Sequence, residues 1–81
     1  MNDPAGRAQG VVVALGERRY VGAFALAGAR VAAAEDPAAM RTAWESLERG
    51  VGLVVLSETA AAALGDLIDD AGAPLTVVLP S

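Results

Sequence analysis

Ser57-Glu58-Thr59 places two hydroxyls around a carboxylate and is the sharpest grouping of reactive side chains in the chain. A serine nucleophile needs a neighbouring base to take its proton. The sequence holds no histidine, and all six of its basic residues are arginine. A helix-capping serine followed by a first-turn acid explains the same residues more simply. Asp66, Asp69 and Asp70 fall on one helix face, but a hard-cation cage draws converging oxygens from a loop, so they read as a solvated face. Gly16, Gly22 and Gly28 are too far apart to cradle a phosphate, and neither GxGxxG nor GxxxxGK[ST] occurs. Without cysteine, disulfides and Cys/His zinc sites are excluded. Arg18-Arg19 is the one adjacent basic pair, either a surface loop or a docking point for an acidic partner. No catalytic residue, metal site or cofactor is expected.

The net charge of −4 argues against nucleic-acid binding, which needs clustered cations. No apolar run approaches the ~20 residues of a membrane span, and no charged segment precedes a secretory core. Direct membrane insertion is therefore not expected, and a cytoplasmic setting is the default for a small disulfide-free α/β domain. The 81 residues suffice for one domain. Residues 1–9, with Pro4 and Gly6, read as a flexible leader, and residues 10–81 as the domain. Apolar residues make up 54% of the chain, but many are alanine, so the core is thin.

The elements that must position these side chains follow from hydrophobic pattern. Residues 11–15 (VVVAL), 51–56 (VGLVVL) and 75–79 (LTVVL) are short, continuous apolar runs, as strands buried on both faces require. Residues 30–34 (RVAAA) form a weaker run suited to an edge strand. Between them, Tyr20, Phe24 and Ala27 mark a first helix stopped by Gly28. Asp36 and Pro37 open a second, whose inner face is Met40, Ala43, Trp44 and Leu47 and whose stop is Gly50. Trp44 is expected in the core. Ser57 caps a third, running to Ala71, with Ala60, Leu64, Leu67, Ile68 and Ala71 inward. One helix per connection demands parallel strands and right-handed crossovers. The expected fold is α/β: a four-stranded parallel sheet of order 2-1-3-4 with three helices, flavodoxin-like. Its ligand crevice would lie between Gly16-Glu17-Arg18-Arg19 and Ser57-Glu58-Thr59, with Glu35 and Asp36 nearby. Phosphoacceptor receiver chemistry would need paired acids, an acceptor aspartate and a lysine there. This chain offers one acid, Ser57 and no lysine.

Gly16-Glu17, then Phe24-Ala25-Leu26-Ala27-Gly28, the helix start Glu35-Asp36-Pro37, the stretch GLVVLSETAAAAL at 52–64 and the ending VVLPS occur in an order that resembles the F subunit of V-type and A-type rotary ATPases. The likeness spans residues 10–81. Glu17 stands where that family usually carries aspartate, and Ala23 where it usually carries glycine. The family continues past its Pro-Ser into a C-terminal helix, so the likeness implies its globular domain without that arm. It implies a non-catalytic central-stalk subunit that assembles with the coiled-coil rotor subunit and the funnel-shaped connector. Such a subunit is cytoplasmic, peripheral to the membrane, and helps couple ATP turnover to proton or sodium transport. Glu17, Arg18, Arg19, Tyr20, Ser57 and Glu58 are the expected partner contacts. The alternative is a free-standing flavodoxin-like protein-binding module, such as a degenerate receiver.

Overall fold

The structure, a computed structural model, describes residues 10–80. The expected leader at 1–9 and the closing Ser81 lie outside the described residues. The chain runs β1 (Val11–Gly16), α1 (Arg18–Val21) continued by a 3-10 helix (Gly22–Ala27), and β2 (Arg30–Ala33). There follow α2 (Pro37–Glu45), β3 (Val51–Leu56), α3 (Glu58–Leu64) continued by a second 3-10 helix (Gly65–Asp69), and β4 (Leu75–Val78). All strand pairs are parallel and the order is β2-β1-β3-β4, the expected topology.

The helix starts follow their sequence signals. Asp36 Oδ1 accepts the Ala39 N–H at 2.8 Å, and Pro37 takes the first helical position. Ser57 Oγ accepts the Ala60 N–H at 3.1 Å and caps α3.

The helix ends differ from expectation. α2 stops at Glu45, where Ser46 Oγ donates back to the Thr42 carbonyl at 2.8 Å and the turn tightens so that Leu47 N–H bonds the Trp44 carbonyl. Gly50, with φ of 92°, turns the chain into β3 instead of stopping the helix. α3 breaks at Gly65, whose φ of 53° and ψ of −123° lie outside helical space, so Leu67 and Ala71 end on the exposed side of the predicted inner face. The first helix is divided as well. Val21 is its buried side chain, with Phe24 half-buried, whereas Tyr20 and Ala27 are exposed.

The two faces of the sheet are covered unequally. On one, Leu15, Val54 and Leu56 pack with Met40 of α2 and Ala60 and Leu64 of α3, with Trp44 and Leu47 partly buried against them. Met40, not Trp44, is the fully buried anchor of α2. On the other, Ala14 and Val55 pack with Val21, Phe24 and Leu79. There α1 and its 3-10 extension lie over β1 and β2. β4 shares the face register of β3, Leu75 beside Leu53 and Val77 beside Val55. Leu75 is 76% exposed and Val77 50%, so this part of the second face is open.

Candidate functional site

The carboxyl ends of β1 and β3 meet at the point where the strand order reverses. Ser57 N–H donates to the Leu15 carbonyl at 3.3 Å, and Ala34 N–H to the Gly16 carbonyl at 2.9 Å, so the strand ends are tied together. Gly16 has to be glycine here. A Cβ at that position would stand 2.5 Å from Ser57 Oγ and 2.8 Å from Ser57 Cβ.

That close approach places Glu17 against Ser57. Ser57 Oγ donates to Glu17 Oε1 at 2.7 Å while accepting from Ala60 N–H. Both side chains are buried, Glu17 8% and Ser57 2% exposed. The Ser57 hydroxyl holds the Glu17 carboxyl below its ordinary value. Burial opposes the shift, and the Glu17 backbone N–H, the Thr59 hydroxyl and the nearby Arg19 charge reinforce it. Glu35 completes the surround by accepting the Arg18 N–H through Oε2 at 3.0 Å, which satisfies a first-turn donor of α1.

This arrangement is a clasp. A carboxylate whose proton affinity is depressed is a weak base toward the hydroxyl it holds. The Ser57 oxygen is committed on both sides, its proton to Glu17 and a lone pair to the α3 cap. The clasp forms the floor of the crevice expected at the switch point, and the crevice itself stays half-open above it. It is a pocket of about 420 Å³ lined by Arg19 and Tyr20 on one side and Ser57, Glu58 and Thr59 on the other, with Phe24, Leu79 and Pro80 completing it. The Arg19 guanidinium carbon sits 4.7 Å from the Tyr20 ring centroid, and Tyr20 is 49% exposed.

Of the expected contact residues, Arg18, Arg19, Tyr20 and Glu58 are exposed at this rim, and Glu17 and Ser57 are withdrawn into the clasp. Phe24, Leu79 and Pro80 join them in the pocket, and Leu75 and Val77 extend the apolar surface along β4, none of which the sequence reading had placed in a site. The available signal was the absence of any charge from residue 71 to 81. Compared with protein-family models, with curated proteins and with solved structures, the chain finds no match.

Proposed function

We propose that this domain acts by contact, as a non-catalytic central-stalk subunit of a V/A-type rotary ATPase. In that role it binds the coiled-coil rotor subunit beside the funnel-shaped connector and contributes to coupling ATP turnover to proton or sodium transport. The observation that carries the reading is the open second face of the sheet. A parallel sheet is stable with both faces covered. Here α2 and α3 cover one face, while Leu75 and Val77 stand exposed on the other. Exposed apolar surface of this kind marks a docking site. The order of motifs from Gly16-Glu17 to the final VVLPS supports the choice of complex. Among the described residues no helix is long and apolar enough to cross a membrane, in keeping with a peripheral, cytoplasmic place.

The rim gives the surface its polar edge. Arg18 and Arg19 stand in an otherwise acidic molecule, and charges at a rim set association rate and register more than affinity. Co-expression with the rotor and connector subunits of a V/A-type ATPase, followed by pull-down at low and high salt, tests the proposal. Co-purification is expected, and Arg18→Glu with Arg19→Glu slows association. A folded domain that co-purifies at no salt concentration overturns the stalk assignment and leaves the free-standing binding module.

A further inference from the structure

At the amino ends of β3 and β4, opposite the rim, a groove of about 590 Å³ runs between the end of α2 and the turn that enters β4. Its apolar lining includes Trp44, Leu47, Val51 and Leu67. Its polar lining includes Asp66 and Asp70, together with Glu48 and Arg49. Among the described residues the one ion pair joins Glu48 to Arg30, at 3.1 Å, so Asp66 and Asp70 form none, and Arg49 is the one cation among the three acids of the lining. Trp44 is the chain's single tryptophan, and it is only partly buried here although the pattern of its helix predicts a core position.

We infer that this groove docks a basic segment of a partner protein, an arginine or lysine flanked by apolar residues. The charge pattern selects the occupant. Unpaired carboxylates beside an apolar floor suit a side chain with a long methylene stem and a cationic head. The stem lies along Leu47 and Leu67, the head reaches Asp66 and Asp70, and an indole adds attraction for a cation. A bound metal ion fits less well, because no group of three or more acids among the described residues is close enough together to hold one. The inference is independent of the stalk assignment, since the groove shares no residue with the rim pocket.

The test uses the full chain and two capped peptides, acetyl-Arg-Leu-Leu-Arg-amide and acetyl-Glu-Leu-Leu-Glu-amide. Binding is followed by Trp44 fluorescence and by amide chemical shifts. The arginine peptide is expected to give a saturable change in Trp44 emission, with shifts confined to residues 44–51 and 66–74, and the glutamate peptide none. Asp66→Asn with Asp70→Asn is expected to weaken binding about tenfold while circular dichroism stays unchanged, and added salt to weaken it likewise. The inference is overturned if the two peptides act alike, if the double variant binds as well as the parent, if the shifts map to residues 17–20 and 57–59, or if no saturable change occurs. Sedimentation showing that the chain fills the groove with a second copy of itself also overturns it.

Discussion

Glu17 lies between a hydroxyl that lowers its proton affinity and a burial that raises it, and the hydrogen bond from Ser57 prevails. The lowered native pKa fixes the sign of its effect on stability. The contribution is fully present above the ordinary carboxylate value of 4.5 and is lost as pH falls through the lower native value. Urea midpoints measured from pH 7 downward should therefore decline below about pH 4.5. Glu17→Gln, which keeps an acceptor for Ser57 but does not titrate, should flatten that part of the decline. An unchanged slope would show that other carboxylates govern it. Gly16 offers a second residue-scale test. Gly16→Ala forces a methyl into Ser57 and should cost roughly 1–3 kcal/mol. Adding Ser57→Gly removes the atoms that clash, so the double variant should lose less than the sum of the single losses, and a strictly additive result would refute the close approach.

The helices show how far local signals reach. Asp36-Pro37 and Ser57 mark starts that the structure keeps, because a cap is satisfied within a few residues by atoms the sequence itself places there. The ends were less legible. α2 ends where the Ser46 hydroxyl bonds back to Thr42, and Gly65 breaks α3 by leaving helical space, while the apolar periodicity runs on through both. Gly65→Ala should cost about 1–3 kcal/mol through backbone strain alone, since no atom lies within 4 Å of an added Cβ. The anchor of α2 is reversed as well. Met40 is fully buried under the sheet and Trp44 is left partly open beside the groove. Met40→Ala should cost about 2–5 kcal/mol, and Trp44→Ala less, as read from denaturant midpoints. A larger loss at Trp44 would mean the indole is buried in solution.

At the scale of the molecule, one side of the sheet is better covered than the other: α2 and α3 lie over it, although Val78, beside Leu56 on that side, is still 43% exposed. Leu75 and Val77 are exposed and contribute little to folding, so Leu75→Glu with Val77→Glu should leave the denaturation midpoint nearly unchanged. If the proposed stalk role holds, the same variant abolishes co-purification with the rotor subunit, because two carboxylates would be buried against an apolar partner. Retained binding would place the interface elsewhere. The two edges of the sheet differ in the same sense. β2 carries Arg30, paired with Glu48, whereas β4 is an uncharged edge guarded only by Pro74 and Pro80.

The parallel sheet, its order and the caps of its two longer helices were determined by sequence, because each depends on short-range pattern: apolar runs of strand length, one helix per crossover, and side chains that bond their own turn. The pairing of Glu17 with Ser57, 40 residues apart, was decided only in three dimensions. It needs β1 and β3 to be neighbours and Gly16 to let their ends touch. The exposure of Leu75 and Val77 within LTVVL was decided there too. A continuous apolar run records only that its side chains avoid water in some assembly, and whether a helix of the same domain or another protein covers them depends on where the remaining elements pack.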